Sequence, residues 1–143
     1  METELIKRYG GVVTKCNDKV LLCKRASTSE LPGFWSVPAG KLDNIENAML
    51  GSKREFFEET NISIDDKDIE LVGFINRTNR DGSKVKGLMY VFLLKVDEKI
   101  YPDLAGASDG DEHTECGYFG LDELPEPMDE QFKKLLENIL TKM

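Results

Sequence analysis

Residues Arg54 to Glu59 read Arg-Glu-Phe-Phe-Glu-Glu, and this segment constrains the fold more than any other. On an α-helix Glu55, Glu58 and Glu59 stand at i, i+3 and i+4 and share one face. Like charges at that spacing repel and lower helix stability. A helix that carries them needs an apolar side to anchor it and something for the carboxylates to hold. A hard divalent cation with oxygen ligands is the natural candidate. The apolar side is present: Ile45, Met49, Ser52 and Phe56 fall on one stripe, widened by Ala48 and Phe57. The pattern predicts a helix from about Ile45 to Thr60, capped by Asp43 or Asn44. Gly51 in its middle costs about 1 kcal/mol relative to alanine, which implies close approach of the helix to another backbone. Asn61 then follows as a left-handed cap residue.

The flanking sequence reads mostly as strands. Gly10 to Lys15 and Lys19 to Arg25 are β-type runs joined by Asn17-Asp18, which is turn chemistry and predicts a hairpin. Ala26 to Phe34 is loop-like, and Trp35 to Pro38 is a short strand stopped by its proline. Ile69 to Ile75 and the long apolar run Val85 to Val96 predict two more strands around a polar loop, Asn76 to Lys84, that contains Asp81-Gly82. Asp97 to Thr114 has little periodicity and reads as a long loop; Glu115 to Phe119 is a last short strand. Asp129 to Lys142 carries a helical stripe of Phe132, Leu135, Leu136, Ile139 and Leu140. Strands, helix, strands, helix without a linker or repeat describe one domain over residues 1–143, α/β or α+β with a mixed sheet.

Composition narrows the function. A net charge of −8 argues against general nucleic-acid affinity, although an acidic protein still binds phosphates when metal ions screen its carboxylates. Cys16, Cys23 and Cys116 are odd in number and lack C-x-x-C spacing, so the expectation is three reduced, partly buried thiols and a cytoplasmic setting. His113, the single histidine, cannot build a histidine-rich metal site alone. The first residues, METELIKRYGG, lack the apolar core of a signal peptide, and the apolar run Leu88 to Leu94 is too short to span a membrane.

Gly40, Glu46, Arg54, Glu55, Phe56, Glu58, Glu59 and Ile62 together resemble the Nudix box: Gly, five residues, Glu, seven residues, Arg-Glu-apolar-x-Glu-Glu-x-Gly-apolar. Asn61 stands where glycine is usual, a mild departure because asparagine also tolerates the left-handed conformation. The segments Leu22 to Ala26, Gly33 to Pro38, Tyr118-Phe119 and Glu123 to Pro125 are similar to MutT-type members of that family. The resemblance implies a Nudix-type α/β/α sandwich with a loop–helix–loop catalytic motif. It also implies Mg²⁺- or Mn²⁺-dependent hydrolysis of a nucleoside diphosphate linked to another group. Chemistry agrees: metal ions bridging phosphate oxygens neutralise developing charge, and Mg²⁺ shares its coordination sphere with substrate phosphates rather than being wholly enclosed.

By the same resemblance Glu58 and Glu59 are metal ligands, and Glu55 is a further ligand or the general base. The Gly40 carbonyl adds a possible ligand, Arg54 orients a box carboxylate, and Glu46 is structural first. MutT-type members often take another carboxylate from a late loop; Glu112 stands at that place, with Asp111 and Glu115 as competitors. Arg25 matches a substrate-binding arginine, against the alternative of an ordinary surface charge. Trp35 and Phe34 are candidates to stack on a nucleobase or to pack in the core. Arg77, Arg80, Lys84 and Lys86 form a basic patch that meets phosphates or is a solvated hairpin tip.

For the substrate, Ile75 to Asp81 contain neither the proline typical of ADP-ribose hydrolases nor the tyrosine of one dinucleoside polyphosphate group. The long upstream signature of coenzyme A hydrolases is missing too. This leaves a nucleoside triphosphate or dNTP as first choice. Dinucleoside polyphosphates, nucleotide sugars and RNA 5′-triphosphate ends are the alternatives, and a non-catalytic nucleotide-binding module is the reading from another class. The expected partner is a small-molecule nucleotide, with no membrane and no general nucleic-acid binding; many relatives dimerise, so the resemblance leans toward a homodimer.

Overall fold

The structure is a computed structural model of the chain, and it describes residues 7–26, 32–43, 45–78, 83–103 and 113–143. Among the described residues seven strands form one sheet: β1 (Lys7–Cys16), β2 (Lys19–Arg25), β3 (Trp35–Ser36), β4 (Ala39–Lys41), β5 (Ile69–Thr78), β6 (Val85–Val96) and β7 (His113–Gly120). Two α-helices among those residues pack on it, α1 (Ala48–Thr60) and α2 (Glu130–Lys142).

The main path of the sheet runs β3-β2-β1-β6-β5, with β4 on β1 and β7 on β2. β1 and β6 are parallel, from Lys7↔Gly87 to Cys16↔Val96, and the other pairings are antiparallel. The sheet is therefore mixed, and the long apolar strand β6 lies inside it between β1 and β5 as expected. Asn17 turns the first hairpin with φ 56°, a conformation that asparagine tolerates better than most residues. β1 divides its partners: Cys16 and Lys15 pair with β2, while Tyr9, Gly10 and Gly11 pair with β4.

Adjacent residues of a strand face opposite sides, so one strand feeds two cores. Val12 joins Phe56, Ile64, Ile69, Phe92 and Leu94 under α1. Its neighbour Val13 joins Val20, Leu22, Val91, Leu93, Phe132, Leu136 and Ile139 under α2. A helix lies on each face, which gives the expected α/β/α sandwich.

Several expectations are corrected. α1 starts at Ala48 rather than Ile45, and Asn47 caps it instead of Asp43; Asn44 lies outside the described residues. Ile45, 98% exposed, and Phe57, 45% exposed, are not core residues. The residues before Asn47 are held back by side-chain bonds described below, and Phe57 falls beyond the arc that Phe56 buries. Finally, Cys23 and Cys116 form a disulfide, leaving Cys16 free and buried. They stand directly opposite each other on β2 and β7, a pairing between segments distant in the chain. The cytoplasmic setting no longer follows from the cysteines. Among the described residues no helix is long and apolar enough to cross a membrane.

Candidate active site

The approach to α1 is built before the helix begins. Asn47 accepts hydrogen bonds from the Met49 and Leu50 amides at 2.9 and 3.2 Å, satisfying two of the first-turn donors. Arg8 on β1 donates to the Asp43 carbonyl at 3.2 Å and the Glu46 carbonyl at 2.6 Å. The Glu46 side chain turns back, its Oε1 accepting from the Asp43 amide at 3.0 Å. Gly51 gives this loop room: a Cβ there would stand 2.5 Å from Leu42 Cδ2 and 2.7 Å from the Glu46 carboxyl carbon. The close approach expected at Gly51 is thus to side chains rather than to backbone.

Arg54 is the hub of the site. Its Nε and Nη2 donate to Glu46 at 2.8 and 2.9 Å, and its Nη1 donates to Glu55 Oε1 at 3.0 Å and to both Glu58 oxygens at 3.2 Å. A planar guanidinium suits such forked recognition, where a lysine would offer a point charge. The Arg54 hydrogen bond holds the Glu46 carboxyl down at about 2, aided by the Asp43 amide and opposed by desolvation. Reciprocally, Glu46 pushes the Arg54 guanidinium above its ordinary value, with Glu58 and the charge of Glu55 adding to it. One cation therefore offsets the repulsion among carboxylates at helical spacing.

Glu55 is buried and lies against Gly40 of β4, so that any Cβ at position 40 would collide with its carboxylate. Glu59 faces elsewhere. Its Oε1 stands 3.7 Å from His113 Nδ1, and the two side chains are 2% and 1% exposed. Burial, then the charge of Arg25, lowers the His113 imidazole to about 4. Among the described residues, no three Asp, Glu, His or Cys side chains are gathered closely enough to hold a metal ion. Arg54 holds Glu55 and Glu58, and Glu59 stands beside His113. The carboxylates of Glu55, Glu58 and Glu59 offer only oxygen, the donor type that hard divalent cations take.

The NUDIX domain family model matches residues 6–139. The chain belongs to the Nudix family. It is a Nudix pyrophosphohydrolase, and solved structures agree on the fold. A MutT NUDIX hydrolase from Burkholderia pseudomallei matches with a TM-score of 0.77 and 25% identity over 95% of this chain and 99% of its own. A MutT protein from Methanosarcina mazei Go1 matches at 0.74 and 21% identity, covering 96% and 95%. A bifunctional NMN adenylyltransferase/ADP ribose pyrophosphatase from Francisella tularensis, complexed with AMP and a Mn ion, matches at 0.64 and 18% over 96% of this chain and 38% of its own. No curated protein matches.

The Nudix box thus brings together Gly40, Glu46, Arg54, Glu55 and Glu58, with Glu59 one turn on. Asn61 closes the box helix with φ 64°, its amide bonded to the Phe57 carbonyl at 2.7 Å. Glu112 and Asp111 lie outside the described residues, as does Arg80. Glu115 is exposed and stands opposite Lys24, on β7. Arg25 is opposite His113 at the end of β2, and its amide bonds to the Phe34 carbonyl at 2.9 Å. Trp35 packs edge-on against Phe119, ring centroids 5.2 Å apart, against the α2-side core. Arg77 lies over the Tyr9 ring at 4.5 Å. The juxtaposition of His113 and Glu59 is not announced by the sequence; a lone histidine in an aperiodic stretch carries no local signal of its partner.

Proposed function

We propose that this Nudix hydrolase cleaves the pyrophosphate linkage of a nucleoside triphosphate or dNTP, releasing the monophosphate and pyrophosphate, with Mg²⁺ or Mn²⁺. The observation that carries the reading is the Arg54 hub: one guanidinium fixes Glu46, Glu55 and Glu58 while Gly40 leaves room for the Glu55 carboxylate. Glu58 and Glu59 would hold the metal, with Glu55 as a further ligand or as the base and the Gly40 carbonyl beside it. When bound, the metal neutralises phosphate charge and acidifies a coordinated water. The chain's own residues do the rest. Arg54 keeps the carboxylates oriented, Glu46 orients Arg54, and Glu55, in the role of base, would take the proton of a nucleophilic water. Arg25 would meet substrate phosphates; Glu112 would join from the late loop. Phe34 is offered to a base by its place next to Arg25. Trp35, which packs on Phe119, and Arg77, which packs on Tyr9, are substrate-contact candidates by residue type alone.

A nucleoside diphosphate sugar such as ADP-ribose is the second reading, supported by a fold neighbour named as an ADP ribose pyrophosphatase. The absence of proline from Ile75 to Asp81 keeps it second. One domain is supported by a single family match over residues 6–139. The test is incubation with Mg²⁺ and a panel of nucleoside triphosphates, dinucleoside polyphosphates and nucleotide sugars, with products identified. Monophosphate and pyrophosphate from a triphosphate confirm the first reading. Release of a sugar phosphate and a nucleoside monophosphate moves the assignment to the second. No turnover with any of them leaves a nucleotide-binding module and sinks the catalytic reading.

A further inference from the structure

We propose that His113 is a positioning residue for Glu59, its Nδ1–H aimed at one carboxylate oxygen so that the rest of the carboxylate faces a divalent cation. The inference rests on the reading of Glu59 as a metal ligand. It starts from the sheet. β7 pairs with β2 as Lys24↔Glu115 and then Arg25↔His113, so the register slips by one residue between them. Strict alternation would put His113 on the same face as Glu115, which is exposed; with the bulge Thr114 and Glu115 are both exposed and His113 turns inward. The irregularity thus delivers one imidazole to the buried side of α1's Glu59.

That placement carries a cost the fold itself does not recover. His113 Nε2 is buried and has no hydrogen-bond partner among the described residues. A buried polar atom left unpaired forfeits the hydrogen bond it made to water, whereas a similar apolar side chain would fill the space without loss. What the imidazole does face is Glu59, with Nδ1 3.7 Å from Oε1. The proton is assigned to Nδ1 by elimination: a bare Nδ1 would set a lone pair against a carboxylate and leave an orphaned N–H at Nε2, the rarer kind of buried defect. At 3.7 Å the pair is beyond hydrogen-bond length, and a shift of about 1 Å closes it. Groups behind a metal ligand fix its orientation, and losing one typically weakens metal affinity about 10–100-fold.

The experiment titrates Mn²⁺ into the nucleotide-free protein and reads free Mn²⁺ by its EPR signal, for wild type, H113F, H113N and H113Q. Asparagine places an amide N–H near the position of Nδ1; glutamine places it near Nε2. The expected result is Mn²⁺ affinity weakened about tenfold or more in H113F and H113Q and held within about threefold of wild type in H113N. Circular dichroism melting reports folding separately, and if H113F does not fold, the contrast between asparagine and glutamine decides. In turnover, H113Q should raise the Mn²⁺ concentration needed for half-maximal rate while leaving the nucleotide KM at saturating Mn²⁺ near that of wild type. Wild-type affinity in a folded H113F, or equal affinities in H113N and H113Q, overturns the role of His113 and leaves Glu59 as a ligand. A wild-type protein that binds no Mn²⁺ overturns the ligand reading of Glu59 and the inference with it.

Discussion

Arg54 grips Glu46 through two parallel hydrogen bonds, Nε to Oε2 at 2.8 Å and Nη2 to Oε1 at 2.9 Å. Bidentate pairs of this kind are stronger than point contacts. The folded Glu46 carboxyl titrates at about 2 against an ordinary 4.5. A depressed folded value contributes stability that is fully present above the unfolded value and lost as pH falls through the folded one. Glu46→Gln should therefore cost about 1–2 kcal/mol at pH 7. The gap from wild type should narrow as pH falls from 4.5 toward 2. Urea unfolding at a series of pH values reads both; a gap that does not change with pH would show that the carboxylate charge is not what binds Arg54.

Gly40 leaves no room for a side chain beside Glu55. Gly40→Ala should displace that carboxylate, and a site displaced by about 1 Å commonly loses on the order of 100-fold in rate. The atoms in the way are the end of the Glu55 side chain, which can move aside, so the fold should lose no more than about 1 kcal/mol, the low end for overpacking. Steady-state kcat/KM and a melting curve separate the two effects, and a near-normal kcat/KM would show that Glu55 does not need its present seat.

The box was legible because helical spacing and a cap are local properties of the chain. Arg54, Glu55, Glu58 and Glu59 take their order along one helix from local spacing, and the sequence reads Arg54 as orienting Glu55 or another box carboxylate. The start of α1 was not legible. Asp43, Asn44 and Asn47 are all competent caps within five positions, and the choice falls to Asn47 where Arg8, a distant residue on β1, ties down the carbonyls of Asp43 and Glu46. The Cys23–Cys116 bridge and the His113–Glu59 pair depend on β7 returning beside β2. Nothing near Cys116 or His113 in the chain announces which strand they will meet.

That bridge has a direct chemical check. Unfolded, unreduced protein should show one reactive thiol, from Cys16, and three after reduction. Three thiols before reduction, in protein purified without reductant, would place Cys23 and Cys116 together as unbridged neighbours.

Glu58 is the most solvent-accessible of the four box glutamates, its side chain 33% exposed, and both its oxygens accept from Arg54 Nη1. Glu58→Gln keeps an oxygen for Arg54 and removes the charge a cation needs. The expected loss in kcat is on the order of 100-fold or more, as for removal of one group that stabilises transition-state charge. Stability should change by less than about 1 kcal/mol, since partly exposed ion pairs contribute little. Near-normal turnover would remove Glu58 from the metal-binding set.

Asn61 holds the left-handed cap position at φ 64°, exposed, with its amide closing the last turn on Phe57. Backbone closure needs the conformation and not the side chain. Glycine adopts that conformation at the least steric cost, but it also gives the unfolded chain more freedom to lose. The two effects oppose each other within about 1 kcal/mol, so Asn61→Gly should be neutral or slightly stabilising. A melting temperature unchanged or raised by a few degrees meets the expectation. A fall of several degrees would mean that the Asn61 amide group stabilises the turn into Ile62 by a contact of its own.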